Sequence, residues 1–293
     1  MLKDLFEKSW FVFVIAILLG LIFPMFSSHI EPFLTYFLII LMTFSLKDIG
    51  IGEVFDKTDI KKPFKLFFMT LLASVVIIVG SWILIKDEAY LQGMIVMAAV
   101  PCAIAVIPYT KLLKGDLKNT IRALLITYGF YLFLTPLIIW VFFQETINPF
   151  DLFLKTFYFV IIPLILSRPL RKINNKLKKY DKLILHSLFF ILIYTTMGIN
   201  SRTIMGDLLS LRYVFLILLI RTFFLFILLY YFYKKGLNKF RRSKLVMFGY
   251  KNLGYALVLS LLLFSRESAI PITLGLLFEN LSFVALDKIM VRG

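Results

Sequence analysis

The chain has 293 residues, of which 60% are hydrophobic and 32 are phenylalanine, with a mean hydropathy of +0.90; soluble domains hold roughly 45–50% apolar residues, so an ordinary aqueous fold is excluded. The formal net charge of +16 sits in short connections between apolar runs and forms no continuous soluble face, which excludes nucleic acid as a partner. The single cysteine, Cys102, excludes an internal disulfide, and His29 and His186 have no ligand-like spacing, so no metal centre, cofactor or catalytic constellation is expected.

A charged start, Met1 to Lys8, leads into an apolar run with no small-residue cleavage site after it, which predicts a retained first helix. A membrane-spanning helix needs about 20 mostly apolar residues, and the candidate spans in chain order are Trp10–Phe26, the short Pro32–Leu46, Leu66–Ile85, Tyr90–Thr110, Ala123–Phe143, Phe150–Leu166, Leu183–Ile199, Tyr213–Tyr233, Leu245–Phe264 and Ile270–Leu286. Pro101 and Pro108 interrupt the fourth, and Gly249 and Gly254 the ninth. Taking the connections alternately as inside and outside, the outside set contains only Lys86, Arg202, Arg212 and Arg266 among all Lys and Arg that lie between spans. That asymmetry predicts a multi-pass protein of the cell membrane with ten transmembrane helices and both termini cytoplasmic. The basic runs 168–182 and 234–244 are read as topology determinants facing anionic lipid.

Ten spans divide into two halves of five, residues 1–144 and 145–293. Five is odd, so the halves enter the membrane from opposite sides, as in a 5+5 inverted repeat. No residue-level repeat is visible between the halves; the symmetry rests on topology. The fourth helix of each half, helices four and nine, carries the Pro or Gly interruption, and matched interruptions point to a binding site near the bilayer midplane.

Several segments carry a resemblance: Gly20-Leu-Ile-Phe-Pro24 in the first helix, Leu41-Met-Thr-Phe-Ser-Leu-Lys-Asp48 in the second, Val100-Pro-Cys-Ala-Ile-Ala-Val-Ile-Pro-Tyr-Thr-Lys-Leu-Leu-Lys-Gly-Asp116 in the fourth, Leu134-Thr-Pro136 in the fifth, Ile162-Pro163 in the sixth and Gly249-Tyr-Lys-Asn252 in the ninth. Together they resemble the bile acid:sodium symporter superfamily over nearly the whole chain. The resemblance implies one membrane domain in which a core built on crossed, broken helices four and nine works against a panel of other helices, and it implies solute transport, often coupled to sodium. The family's sodium-ligand positions fall on Val106 and Ile107, on Met247 and Lys251, and near Ala73 and Ser74. Sodium needs a cage of oxygen ligands; valine, isoleucine and methionine provide none and lysine has the wrong sign, which argues against sodium coupling. Helix four is also similar to that of arsenite efflux carriers, in Cys102 and the Lys114-Gly-Asp116 end. This implies an alternative, a metalloid efflux carrier with Cys102 as a soft ligand, although those carriers use an acidic residue in helix nine that this chain lacks.

Arg221 and Glu279 fall near the middle of the eighth and tenth predicted spans, and Lys251 at the break of the ninth. Each costs at least about 2.5–3.5 kcal/mol to insert, so they are read as a charge network. Half-helix N-termini near Ala103 and Leu253, together with Lys251, favour an anion. Lys251 has three readings: a fixed cation in place of the ion, an attractor of an anionic solute, or a carrier of protons. The predicted substrate-binding residues are Cys102, Ala103, Tyr109, Thr110, Tyr250, Lys251 and Asn252. The expected function is alternating-access transport of a small solute, an organic anion by preference, with the bilayer as surroundings and sodium or protons as the coupling ions to be tested. A non-transporting sensor on the same fold is the remaining non-enzymatic reading. A membrane-embedded enzyme would need a clustered acid, histidine or metal constellation, and the acidic residues here are scattered.

Overall fold

A computed structural model of the protein describes residues 9–47, 60–144, 148–173, 180–206 and 208–291. The charged start Met1–Lys8, the middle of the connections 47–65 and 167–182, and the last two residues lie outside the described residues, and the proposed repeat boundary after residue 144 abuts residues 145–147, which also lie outside. The described residues are helical apart from short connections and two interruptions. The helices are α1 (Ser9–Ile22), α2 (Leu34–Leu46), α3 (Lys61–Leu84), α4 (Glu88–Ala99), α5 (Val106–Leu112), α6 (Leu117–Phe143), α7 (Pro149–Ile173), α8 (Asp181–Ile199), α9 (Ser201–Gly206), α10 (Arg212–Leu219), α11 (Leu225–Lys234), α12 (Lys239–Gly249), α13 (Leu253–Leu263) and α14 (Ala269–Val291).

Five helical stretches, Pro24–Leu46, Lys61–Leu84, Leu117–Phe143, Phe150–Arg171 and Arg212–Tyr233, are long and apolar enough to cross a membrane; Phe11–Ile22, Leu183–Ile199, Leu253–Leu263 and Ala269–Phe283 are shorter apolar helices. Outward-facing side chains such as Phe68, Val75, Trp82, Phe133, Leu137 and Phe232 are exposed and apolar. Water would not tolerate that surface, whereas lipid tails do. The second span is longer than its sequence suggests. Pro24 and Glu31-Pro32 open short 3-10 turns, with a helical turn at Ser27–Ile30 between them, so the helical path runs from Pro24 to Leu46. Proline at the first position of a helical turn removes an N–H that has no intrahelical partner in any case.

Polar caps set where helices start. Asp87 accepts from the Tyr90 N–H at 2.9 Å, Asp116 from Asn119 at 3.2 Å and Asn238 from Arg241 at 2.9 Å; each satisfies an orphan donor of a first turn. The eighth predicted span is one helical path with a π-turn at Ile220–Phe224 between α10 and α11, and it buries Arg221 and Thr222. π-turns of this kind concentrate at functional positions.

The two interruptions differ in detail from the sequence reading. The first is Val100–Ala105, opened by Pro101, while Pro108 lies inside the first turn of α5, where proline is tolerated. The second is Tyr250–Asn252; Gly249 is the last residue of α12 and Gly254 the second of α13, so both glycines flank the gap. The gaps meet as an antiparallel bridge between Cys102 and Lys251. Ala103 N donates to Tyr250 O at 3.1 Å and Asn252 N to Pro101 O at 2.8 Å. Each break thus satisfies backbone groups that the other frees, which an apolar medium demands.

α4 packs against α13, α6 and α14. Its approach to the connection before α14 depends on Gly93, where an added Cβ would lie 2.0 Å from the backbone oxygen of Ser268. A backbone atom cannot rotate away. Gly93→Ala is therefore expected to cost about 3 kcal/mol through forced separation of packed segments, read as a lower melting temperature in detergent; an unchanged melting temperature contradicts the contact.

Candidate functional site

Beside the paired breaks lies a cavity of about 550 Å³. Its floor comprises Ala103–Ala105 of the first break and Tyr250–Asn252 of the second, with Leu253 and Gly254 of α13. The facing wall is Phe13 of α1, Leu41, Met42, Phe44 and Ser45 of α2, and Leu185, His186 and Phe189 of α8; α14 adds Leu276, Glu279 and Asn280. Most of the lining is apolar, with few polar groups. That composition suits a ligand with a hydrocarbon body and little polarity.

Two buried polar assemblies hold the floor. In the first, Arg221 Nη2 donates to Glu279 Oε1 at 2.6 Å and to Gly249 O at 3.2 Å. Glu279 Oε1 also accepts the backbone N–H of Lys251 at 3.1 Å. The ion pair therefore grips both sides of the second break: the arginine holds the last carbonyl of α12 and the carboxylate holds the amide two residues on. Both residues are buried, and Arg221 Nε and Nη1 have no hydrogen-bond partner. In the second assembly, Lys251 Nζ donates to Ser74 Oγ at 2.8 Å and Tyr131 OH at 3.3 Å, and stands 4.7 Å from the Tyr131 ring centroid. Ser74 Oγ and Tyr131 OH lie 2.8 Å apart, and Ser74 Oγ also donates to Ala98 O at 2.8 Å.

The predicted charge network is thus split. Arg221 and Glu279 are partners; Lys251 joins them through its backbone amide, while its ammonium runs to α3 and α6. Neither Ser74 nor Tyr131 lines the cavity, so the ammonium is directed away from the space an anionic solute would occupy.

The predicted binding residues divide in the same way. Ala103, Tyr109, Tyr250, Lys251 and Asn252 line the cavity; Cys102 and Thr110 do not. Cys102 is fully buried in the bridge, because alternate residues of an extended segment point to opposite sides. Thr110 ends in a polar knot: its hydroxyl donates to Thr120 Oγ1 at 3.4 Å, which donates to Ser243 Oγ at 3.0 Å, and Ser243 Oγ accepts from Asp116 N at 2.8 Å. That knot ties the end of α5 to α6 and α12. Asn252 caps α13 by accepting from Tyr255 N at 3.3 Å and donates its amide to Tyr128 OH at 2.7 Å. The predicted half-helix N-terminus near Ala103 is displaced: Ala103 N is taken by Tyr250 O, and α5 starts at Val106. Tyr109 stacks on Phe283 with centroids 3.9 Å apart and meets Tyr250 edge-on at 4.8 Å, forming an aromatic corner.

Sequence reasoning missed the rim. Lys111, Ile121, Phe44, Ser45, Leu185 and His186 line the cavity at helix ends adjoining the Lys/Arg-rich connections. Lys111 reads as one topology determinant among several, and nothing in the spacing of His186 marks it.

Interrupted helices whose freed backbone pairs at the floor of a cavity, inside a sheath of lipid-compatible helices, are the architecture of a multi-pass membrane transporter. A model of the Sodium Bile acid symporter family matches residues 2–206, and the chain belongs to that family. Its members are transmembrane transporters of the bile-acid and organic-anion type. The matched span includes the first break and ends before α12, so Lys251 and Glu279 lie beyond it. No curated protein matches the chain.

Proposed function

We propose that the protein is a secondary-active transporter of an amphipathic organic anion that works by alternating access and has no sodium requirement. In this reading ten helices form two inverted halves, 1–144 and 145–293, with both termini cytoplasmic, and the paired breaks are the fixed floor against which α1, α2 and α8 move. The observation that carries it is the placement of Lys251. The resemblance puts cation-ligand positions near Ala73 and Ser74 and on Met247 and Lys251, and here the Lys251 ammonium is itself hydrogen-bonded to Ser74 and Tyr131 between α3, α6 and the second break. A tethered positive charge already holds the place, and the neighbouring Val106 and Met247 side chains offer no oxygen. Cys102 is buried outside the cavity lining, so no observation favours metalloid efflux.

The test is twofold. Purified protein is melted in sodium chloride and in choline chloride at equal ionic strength. A ligand bound only by the folded state at a hundredfold excess over its dissociation constant adds about 2.7 kcal/mol, so a coupling ion raises the melting temperature by several degrees; none is expected here. Proteoliposomes are then loaded with taurocholate and its flux is measured with and without a sodium gradient. Flux independent of sodium is the expected result. A sodium-specific stabilisation, or flux only with sodium, refutes the reading.

A further inference from the structure

The cavity has two ends of different character. On its floor the Lys251 ammonium is turned to α3 and α6, and the Glu279 carboxylate, which lines the cavity with Asn252 and Asn280, has its Oε1 committed to Arg221 and to a backbone amide. At the rim, Lys111 stands on the last turn of α5 and His186 on the second turn of α8, so they come from the core side and from the facing wall respectively. Between rim and floor the lining is Phe13, Leu41, Met42, Ile107, Phe189 and Leu276. The cation nearest the breaks in sequence is thus withdrawn from the cavity, and the other lysine of the lining, Lys111, stands at the end of α5 beside the connection that follows it.

We propose that Lys111 and His186 form the head-group subsite of this cavity, holding the carboxylate or sulfonate of an amphipathic anion at the mouth while its hydrocarbon body lies along the apolar walls towards the breaks. The proposal rests on the anion-transport reading above and adds the orientation of the ligand and the residues that recognise its charge. Lys111 supplies a full positive charge and His186 an N–H donor from the opposite wall. A donor on each of two facing elements gives the bound anion contacts that both elements must keep, which favours approach of the walls. The lysines and arginines of the adjoining connections add a local positive potential that raises anion concentration at the mouth. An apolar wall with a charge at one end also discriminates: the body alone gains from burial, and only a charged ligand gains from the rim.

The experiment measures binding of two probes with the same steroid body to the full-length protein: taurocholate, which carries a sulfonate, and the methyl ester of cholate, which is uncharged. The variants are Lys111→Met, His186→Gln and, as an exposed basic residue at the start of α6 outside the lining, Lys118→Met. A hydrogen bond to a charged group is worth enough that its loss weakens taurocholate binding by about tenfold for Lys111→Met and about fivefold for His186→Gln. The ester stays within about twofold in both, and Lys118→Met changes neither probe by more than that. Equal weakening of both probes, or no weakening of taurocholate, overturns the subsite. Equal affinity of the unmodified protein for the two probes overturns it as well and leaves the cavity as an uncharged-ligand site. Failure of the unmodified protein to bind either probe overturns the anion-transport reading itself. Melting temperatures of the variants identify any loss that comes from misfolding.

Discussion

Arg221→Met lowers the melting temperature far more than the paired change Arg221→Met with Glu279→Met. The single change leaves the Glu279 carboxylate buried against apolar neighbours, with only the Lys251 amide as donor. Removing one partner of a buried pair costs about 3–5 kcal/mol, whereas replacing both by apolar groups of similar volume is often neutral or stabilising. The effect is amplified by position. Arg221 also holds Gly249 O, so the single change frees the last carbonyl of α12 as well, while Glu279 keeps its hold on Lys251 N. The double change retains the stabilising transfer of apolar side chains but loses both grips on the break. Its expected signature is therefore near-normal stability with lost transport. Thermal unfolding and flux of the three proteins in the same lipid separate these readouts. Equal melting temperatures for single and double variants would show that the pair contributes nothing beyond its volume.

Lys251→Ala is expected to reduce transport by at least about tenfold, because the hydrogen bonds from a charged donor that fix the break to α3 and α6 are each worth about 1.5–3 kcal/mol. The fold itself survives. Ser74 Oγ and Tyr131 OH remain 2.8 Å apart and satisfy one another, and the break keeps its backbone bridge. What the alanine leaves is a space with two hydroxyls and the Ala98 carbonyl nearby, a donor set of oxygens of the kind hard cations accept. Flux in this variant is therefore expected to recover in part when sodium is added, in contrast to the sodium-independent flux proposed for the parent protein. Loss of flux with no recovery in sodium, lithium or potassium would make Lys251 a fastener alone. Unchanged flux would remove it from the mechanism.

The apolar helical stretches, the two breaks and the buried charges Arg221 and Glu279 were legible in the sequence because each has a one-dimensional signature. Apolar runs mark the helices, Pro101 marks where a helix cannot continue, and charge in an apolar run is too costly to be accidental. Direction was not legible. Cys102 and Ala103 are neighbours, yet only Ala103 lines the cavity, and that alternation depends on the extended pairing with Lys251, which no local pattern announces. Lys251 looks from sequence like a cation aimed at a solute; its turn towards Ser74 and Tyr131 depends on residues 177 and 120 positions away. Thr110 falls in a plausible place but is consumed by the knot with Thr120 and Ser243. Lys111 and His186 escaped notice because rim position is a property of three helices together and of no segment alone. The π-turn at Ile220–Phe224 likewise arises where Arg221 must reach Glu279, a tertiary demand that overrides the regular helical register.

The bridge between the breaks also bears on how the protein is made. Its two strands lie on the order of 150 residues apart in the chain, and in hydrocarbon each unsatisfied backbone group costs several kcal/mol. While α4 and α5 are already inserted and α12 and α13 are still to come, Ala103 N and Pro101 O lack the partners they have in the finished molecule. The most distant pairing in the site is thus also its last to close, and biogenesis ends with a locking step across the two halves. A nascent chain halted before Asn252 would expose that unpaired segment to the insertion and quality-control machinery of the membrane, and the same chain released a few residues later would conceal it.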